Sequence, residues 1–426
     1  MEKCYCTKSE LDLFTTSPIQ LAIDRSSFVE IHPVASISDN NTIEFLISGL
    51  GESYFDLSHL FLHVQARILK GNREAFQNDD KCGPMSYLLN TMFAECHISL
   101  NDRQISSEKN YAYKAYIQSV LFHSESSQKN LLRAGLFVKD TARKFDDVTL
   151  TDAGLNKGLR KRWDRVKNGK VFDMCGILHT DIGIQSKLLI NGTSIRIRLI
   201  KAKNEFSLLA ATGDYRLQIE NISIYVRKCE ISSSILVAHE KALEQSLIQM
   251  PFTRIEVKTF TVSSSLKSVI IPNGVNGVLP SRIILGLISN SVFNGDMKKN
   301  PFNFKHYNLN HISLSENGIQ IPTTAYTPDY AKDLYARNYL SLFTYLAQHK
   351  TNVSYDDYKE NICLNVFDLT QDKSASEPFG NMTRSGDISI HLKFDAKLPE
   401  TATLIAYMKM PSLIEIDKSR NVFIDY

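Results

Sequence analysis

The sequence predicts an all-β protein with a few short helices, built from two similar antiparallel units in tandem. Three observations support this prediction: segments that alternate apolar and polar residues, a helix near the middle of the chain, and a repeat of features in each half. The composition is that of a globular chain, because 43% of its 426 residues are apolar and 22% are charged. At roughly 150 residues per domain, this length predicts two or three domains.

Period-two alternation is the strongest local signal in the chain. Residues 60–68, 195–199 and 388–394 each place apolar side chains on one face and polar or charged side chains on the other. Such half-buried strands are typical of antiparallel sheets, whereas the strands of parallel doubly wound sheets are continuous apolar runs. The alternation in residues 217–227 changes phase near Glu220, which predicts a β-bulge there.

Three other segments have helical periodicity. Residues 113–121 carry an apolar stripe at i, i+3, i+4, i+7 and i+8. A second stripe reaches residue 346, behind Thr327 as a candidate N-cap and Pro328 at the first helical position. Residues 234–249 predict a third helix, and its place near the middle of the chain makes it the candidate domain boundary.

An internal repeat relates the two halves. The tetrapeptide His-Ile-Ser-Leu occurs at 97–100 and again at 311–314, and Tyr116 and Tyr330 follow at the same offset in predicted helices. Other paired segments keep the same order: 27–31 with 253–257, 60–68 with 282–290, and 195–201 with 388–394. Each half then contains about eight strands, and antiparallel units of that kind are jelly rolls or barrels.

These features divide the chain into four predicted parts. They are an N-terminal arm (1–20), a first jelly roll (21–230), a linker helix (231–252) and a second jelly roll (253–426). The predicted architecture is therefore a double jelly roll, with two eight-stranded antiparallel β-sandwich or barrel domains in tandem.

Several turn and packing motifs of the first half also resemble those of a known family. They are LFTTSPIQ at 13–20, SFVEIHP at 27–33, GLGESY at 49–54, YAYKAYI at 111–117 and LFVKDT at 136–141. Together they resemble the major capsid proteins of Maverick/Polinton-type elements and the related adintoviruses, most densely over residues 13–145. The resemblance implies a double jelly roll that forms trimers, the pseudo-hexagonal capsomers of an icosahedral DNA virus. The chain is short for that class, which argues against long tower loops.

The resemblance further implies a non-enzymatic, self-assembling protein of the virion. Its partners would be two further copies in a homotrimer, penton and minor capsid proteins, and packaged DNA through non-specific contact. Assembly would take place inside the host cell, in the nucleus or the cytoplasm. Two alternatives stay open: a carbohydrate- or ligand-binding jelly-roll protein or a hydrolase on that fold, and a domesticated capsid-derived host protein.

The sequence carries no recognisable catalytic or metal-binding spacing, so we expect no enzyme activity, cofactor or metal. Gly49 and Gly51 precede a strand and are interpreted as a tight turn. His59 and His63 on one strand would lie ~13 Å apart, too far to share a metal ion. His97 and His311 occupy equivalent repeat positions and are expected to form structural hydrogen bonds.

The cysteines and the termini constrain the cellular setting. The seven cysteines form no Cys-x-x-Cys motif, so reduced thiols in an intracellular protein are expected, including Cys4 and Cys6 on the arm. Residues 1–10 have no apolar h-region, so no secretory signal is expected. No run of ~18 apolar residues predicts a membrane span.

One segment is strongly basic. Within fourteen residues it contains seven cations, Lys157, Arg160, Lys161, Arg162, Arg165, Lys167 and Lys170, against the single acid Asp164, and it also holds the only tryptophan, Trp163. Like charges at this density predict an exposed loop over 156–170, mobile in the free subunit. It is interpreted as a solvated loop, a contact with packaged DNA through phosphate neutralisation, or a contact with a neighbouring capsid subunit. A nuclear-import signal is a weaker variant of the same pattern. The net charge of +3 is too small to make the whole surface a nucleic-acid-binding one.

Overall fold

The structure is a computed structural model that describes residues 19–37, 40–77, 79–151, 153–346, 351–375 and 381–425. The predicted arm (1–20) therefore lies almost wholly outside the described residues, as do Cys4 and Cys6. The five other cysteines are free thiols. No helix in the described ranges is long and apolar enough to cross a membrane.

The first half of the described chain folds into two antiparallel sheets that face each other. Its strands are β1 (Ile23–Ile31), β2 (Thr42–Ile47), β3 (Tyr54–Lys70), β4 (Cys82–Pro84), β5 (Phe93–Leu100), β6 (Arg103–Glu108), β7 (Phe172–Ile177), β8 (Ile195–Lys201), β9 (Leu208–Ala210) and β10 (Tyr215–Ile231). One sheet has the order β1-β10-β3-β7 and the other β2-β8-β5-β6, while β4 pairs with β9 beside them. The first strand thus pairs with the last, as in a jelly roll.

The second half repeats this arrangement. Its strands are β11 (Ile248–Val262), β12 (Ser268–Val278), β13 (Arg282–Ser289), β14 (Leu309–Glu316), β15 (Ile319–Tyr326), β16 (Leu364–Asp368), β17 (Ser385–Phe394), β18 (Ala402–Ile416) and β19 (Val422–Asp425). The sheets have the orders β11-β18-β13-β16 and β12-β17-β14-β15, with β19 added beside β18. This is the strand order of the first half, so the predicted double jelly roll is confirmed.

The repeat places the two His-Ile-Ser-Leu motifs at equivalent positions. His97 lies on β5 and His311 on β14, each the third strand of its sheet. Ile98 pairs with Ile197 on β8, and Ile312 pairs with Leu392 on the equivalent strand β17. The predicted β-bulge is also confirmed, because the register of β10 against β3 shifts between Ile219 and Asn221.

Short helices lie in the connections between strands. They are α1 (Leu88–Thr91), α2 (Tyr111–Leu121), α3 (Glu125–Lys129), α4 (Lys157–Val166), α5 (Asn204–Ser207), α6 (Ser233–Ala242), α7 (Asn290–Phe293), α8 (Ala336–Thr344) and α9 (Tyr355–Glu360). The predicted helix over 113–121 is confirmed as α2, which is buried on every side. It contacts β5 and also β11 of the second sandwich, so it lies at the seam between the two halves.

Two helix predictions need correction. The helix predicted over 234–249 ends at Ala242, because residues 248–262 pair without interruption along β18. Pro251 is tolerated within β11 because β11 is an edge strand. The helix predicted from Pro328 begins only at Ala336. A 3-10 turn over Tyr330–Lys332 precedes it, so Tyr330 is not on a helix equivalent to that of Tyr116.

The long connections of both sandwiches lie at one end of the molecule, which we call the loop-bearing end. Residues 71–92, 109–171 and 202–214 of the first half meet there, since β4 pairs with β9 and α4 packs on β4. They also contact the corresponding connections of the second half. Asp146 accepts from the Asn300 backbone N–H at 2.9 Å, and Lys139 Nζ lies 2.6 Å from Asp357 Oδ2.

Candidate interaction surface at the loop-bearing end

The basic segment is a helix, not the exposed mobile loop that its charge predicts. Residues 157–166 form α4, and the Asn156 side chain caps it by accepting from the Leu159 N–H. Leu159, Trp163 and Val166 lie at i, i+4 and i+7 and are buried. These three apolar positions were visible in the sequence, but the surrounding charge hid a helical stripe.

Arg162 anchors this helix in the protein interior. Its side chain has no exposed surface. Among the seven cations predicted to make contacts, Arg162 is therefore the one that is buried. Nε donates to the Pro84 carbonyl at 2.7 Å, Nη1 donates to the Val138 carbonyl, and Nη2 lies 2.8 Å from Asp140 Oδ1. A buried guanidinium needs this many acceptors to offset the loss of water.

Trp163 organises several of the cations around its ring. Its Nε1 donates to the Asp80 carbonyl at 3.1 Å, which fixes the indole against the connection that leads to β4. Lys81, Arg160 and Lys167 lie over the ring, with the charged atoms 4.7, 5.6 and 5.2 Å from its centroid. Cation–π attraction therefore gathers positive charge at this point of the surface.

The outward face of α4 carries the rest of the charge. Lys157, Lys161 and Arg165 recur every four residues and are exposed, so they form one ridge with steps of ~6 Å. Lys170 extends the ridge beyond the helix, and Lys167 pairs with Asp164 at 2.9 Å. In the described part of the chain, none of Lys157, Lys161, Arg165 and Lys170 forms an ion pair with a carboxylate.

The histidines singled out in the sequence are held by polar neighbours. His59 Nδ1 lies 2.8 Å from Asp56 Oδ2, and His63 Nε2 lies 2.7 Å from Asp173 Oδ1. His97 bonds Ser107 and Glu95, and His311 bonds Ser313, as predicted for structural histidines. Among the residues that the structure describes, no group of three or more His, Cys, Asp or Glu side chains is arranged to hold a metal ion.

A buried polar network at the seam was not predicted from the sequence. Gln118 on α2 donates to the Tyr407 hydroxyl of the second sandwich at 3.2 Å. Its Oε1 lies 2.8 Å from His179 Nδ1, and the Tyr87 hydroxyl lies 2.8 Å from His179 Nε2. Burial lowers the pKa of His179 to about 3, so the ring is neutral, Nδ1 donates to the amide and Nε2 accepts from Tyr87.

A second buried cluster lies beside it and contains three charged residue types. Lys114 of α2 contacts Glu108 at the end of β6 and Asp181, and all three side chains are almost fully buried. The signal for it in the sequence is slight. Lys114 and Gln118 stand four apart in a helix that is apolar or aromatic apart from them and Ser119, but Asp181, His179 and Tyr407 are distant along the chain.

No family model matches the chain. Among curated proteins, an uncharacterised protein of Caenorhabditis elegans is 20% identical over 429 residues, which covers 95% of this chain and 98% of that protein. This distant relative spans the same length as the present chain, so the similarity includes both sandwiches.

Solved structures share the fold over the full chain. A chain of the Sputnik virophage has a TM-score of 0.65 at 12% identity and covers 100% of this chain and 93% of its own. The PBCV-1 virus capsid gives 0.58 at 11% identity, with coverage of 97% and 99%. The mavirus major capsid protein gives 0.53 at 12% identity, with coverage of 99% and 93%. The chain therefore has the double jelly-roll fold found in viral major capsid proteins.

Proposed function

We propose that this protein is a major capsid protein that forms trimeric, pseudo-hexagonal capsomers of an icosahedral shell around DNA. The observation that carries the proposal is the duplication: two sandwiches with the same strand order and with their long connections at the same end. Such a subunit has two similar lobes, with the long connections of both lobes at the same end. The role is structural and non-enzymatic.

Trimer geometry follows from this shape. Three two-lobed subunits around a three-fold axis present six lobes, and a six-lobed outline can tile a surface. In such a ring, one lobe of each subunit meets the other lobe of its neighbour, a heterologous contact that closes on itself. Interfaces of this obligate kind bury on the order of 2,000 Å² or more and are largely apolar.

The seam between the sandwiches supports the same proposal, because a capsomer needs a subunit that does not hinge. Polar contacts cross it along its length. Asn110 Nδ2 donates to the Val257 carbonyl at 2.8 Å, and the Ile255 N–H donates to Asp181 at 3.1 Å. At the end opposite the long connections, Asn101 Nδ2 donates to the Arg420 carbonyl at 2.9 Å.

The finer assignments rest on the sequence motifs. We infer a place in the Maverick/Polinton-type group from the motifs within 13–145. Its partners are then penton and minor capsid proteins. The particle assembles in the nucleus or cytoplasm of the host cell, and the protein is a component of the virion. The division into two rolls (21–230 and 253–426) joined by a linker (231–252) is part of this proposal, although the first strand of the second roll already begins at Ile248.

The exposed cations of α4 are proposed as the contact with packaged DNA or with a neighbouring capsid subunit. The ridge of Lys157, Lys161 and Arg165 supports either, since both phosphates and an acidic protein surface are complementary to it. Arg162 does not take part, because its guanidinium is buried on Asp140.

Microscopy of the purified full chain tests the capsid role. Negative-stain images are expected to show three-fold particles with six lobes, and shells where the trimers associate. Uniform single two-lobed particles at micromolar concentration would contradict the proposal. They would leave a monomeric carbohydrate- or ligand-binding jelly roll as the better account.

A further inference from the structure

The buried cluster of Lys114, Glu108 and Asp181 brings one amine into contact with two carboxyl groups. Lys114 Nζ lies 2.6 Å from Asp181 Oδ1 and 2.8 Å from Glu108 Oε1. The side chains of Lys114 and Asp181 are 0% exposed and that of Glu108 is 4% exposed. The amine nitrogen is therefore in contact with both carboxyl groups, and a small movement would bring it against a carboxyl carbon.

The charges of the cluster do not balance without a proton. One ammonium faces two carboxyl groups in a site closed to solvent, and burying the net negative charge that two carboxylates would leave is costly. Burial raises the pKa of Glu108 well above its usual range, and the adjacent Asp181 carboxyl adds to this. Burial therefore favours the neutral acid form of Glu108 over its carboxylate, while Lys114 and Asp181 form the shorter of the two contacts.

We propose that Lys114 Nζ and the side-chain carboxyl of Asp181 condense into an intramolecular amide bond, with Glu108 carrying the proton between them. The ammonium first passes a proton to the Asp181 carboxylate through Glu108. The free amine then attacks the carboxyl carbon Cγ. A C–N bond forms, one C–O bond breaks, and one water leaves, so that no oxidant, reductant or external co-reactant is needed. Glu108 ends as it began, protonated.

The surroundings favour Asp181 over Glu108 as the partner of Lys114. The Ile255 backbone N–H donates to Asp181 Oδ1 at 3.1 Å, which polarises the carbonyl and stabilises the oxyanion of a tetrahedral intermediate. Asp181 Oδ2 is buried without a hydrogen-bond partner among the described residues. That oxygen is therefore the one free to accept protons and leave as water.

The protonation states make the reaction slow but do not prevent it. Burial by itself lowers the pKa of Lys114, but the two carboxyls outweigh burial and raise it, so the ammonium dominates. Transfer of one proton within the cluster yields a neutral amine and two neutral acids, and a site of low dielectric constant favours neutral groups. The bond has to form only once in each chain, so a minor reactive form is sufficient.

The bond would fix the first sandwich's side of the seam. Lys114 lies on α2, which fills this seam, and Asp181 begins a 3-10 turn that already accepts a hydrogen bond from β11 of the second sandwich. A covalent link here ties the connection before β7 to the connection after it. This inference is independent of the capsid role, since it concerns only the folded subunit.

Intact-mass spectrometry of the denatured full chain tests the proposal. The expected mass is lower than the sequence mass by one water, and proteolysis is expected to release a branched peptide that joins Lys114 to Asp181. A folded protein that keeps the full sequence mass after prolonged incubation would overturn the proposal. A branched peptide that joins Lys114 to Glu108 would overturn the choice of Asp181.

Variants assign the roles. Lys114→Met and Asp181→Ala are expected to keep the full mass, and Glu108→Gln is expected to lose water far more slowly, because an amide cannot relay the proton. Lys109→Met, at an exposed lysine next to the cluster in sequence, is the matched control and should lose water as the wild type does. Water loss in Asp181→Ala, or at the wild-type rate in Glu108→Gln, would contradict the assigned roles. The wild-type mass decides the main point even where a variant does not fold.

Discussion

Arg162 holds α4 in place because its guanidinium has three acceptors in the protein interior. Two are backbone carbonyls and the third is Asp140, whose other oxygen accepts from Asn300 Nδ2 of the second half at 3.0 Å. The same carboxylate thus connects the basic helix to the opposite sandwich. At the scale of single residues, this ion pair is one of the contacts that hold the basic segment in the fold.

Asp140→Ala is therefore expected to destabilise the protein strongly. It leaves the Arg162 charge buried and without its carboxylate, a change that costs about 3–5 kcal/mol of unfolding free energy. Urea denaturation measures this loss. Arg165→Ala, on the exposed face of the same helix, is the control and should change the unfolding free energy by no more than ~0.5 kcal/mol. Equal stability of the two variants would show that Arg162 is not buried in solution.

His179 predicts how stability depends on pH. Its pKa is about 3 in the folded protein, below the ordinary value of 6.5, because the ring is buried. The unfolded chain then binds the extra proton, so the contribution of this residue is complete above pH 6.5 and is lost as pH falls toward 3. At pH 5 the loss is ~2 kcal/mol.

Unfolding free energies measured at pH 7 and pH 5 check this expectation. His179→Gln should remove that part of the pH dependence, whereas His63→Gln, at a more exposed histidine, should leave it in place. A His179→Gln variant with the same pH dependence of stability as the wild type would contradict the low pKa. The sequence did not identify His179, since nothing near it in the chain shows that the ring packs between Tyr87 and Gln118.

At the scale of elements, the predictions that succeeded rest on local pattern. The β-bulge in β10 is visible in the sequence because each residue of a strand changes face, and a phase change marks the extra residue. The limits of α6 were not predictable from its own sequence. The strand that follows is set by pairing with β18, a partner far along the chain.

The same distinction explains why the segment that forms α4 was wrongly predicted to be a loop. Charge density indicated a loop, but long basic side chains keep their charged ends in water while the helix buries its other face. The apolar positions, Leu159, Trp163 and Val166, carried the correct information, and the burial of Arg162 depended on Asp140. Local periodicity was a better guide here than net charge.

The exposed ridge of α4 supports a test of its two proposed partners. A variant with Lys157, Lys161 and Arg165 all changed to Ser is expected to fold normally, since these side chains are exposed. If the ridge contacts DNA, the slope of log affinity against log salt should fall by about 3, because roughly one counterion is released for each phosphate contact. If it contacts a neighbouring subunit, trimers should form but larger assemblies should not.

A control variant separates the ridge from overall charge. Lys187, Lys241 and Lys418 are exposed and lie in connections at the end opposite α4, so changing all three to Ser removes the same charge from other surfaces. DNA-binding titrations and light scattering on both variants are compared with the wild type. An equal effect of the two triple variants would mean that net charge, and not the ridge, governs the interaction.

At the scale of the whole molecule, the duplicated strand order was predictable because it leaves a repeated trace in the sequence. The His-Ile-Ser-Leu motif recurs on equivalent strands, and flanking strands recur in the same order. The seam was not predictable, because its contacts join residues from different repeats. Asn110 with Val257 and Gln118 with Tyr407 are such pairs.

Assembly is the prediction that belongs to this scale. A ring of three two-lobed subunits buries apolar surface between lobes, and hydrophobic burial is not screened by salt as surface charge pairs are. The trimer is therefore expected to persist at low protein concentration and in moderate salt. Contacts between trimers are expected to be smaller and more polar, and hence to weaken as salt rises. Light scattering across a range of protein and salt concentrations measures both kinds of contact. The mass of three chains is expected to be insensitive to salt, whereas larger species are expected to disappear as salt rises. A stable mass of one chain at micromolar concentration would contradict the capsomer, because a subunit that does not associate there has no interface of the size that closure of a ring requires.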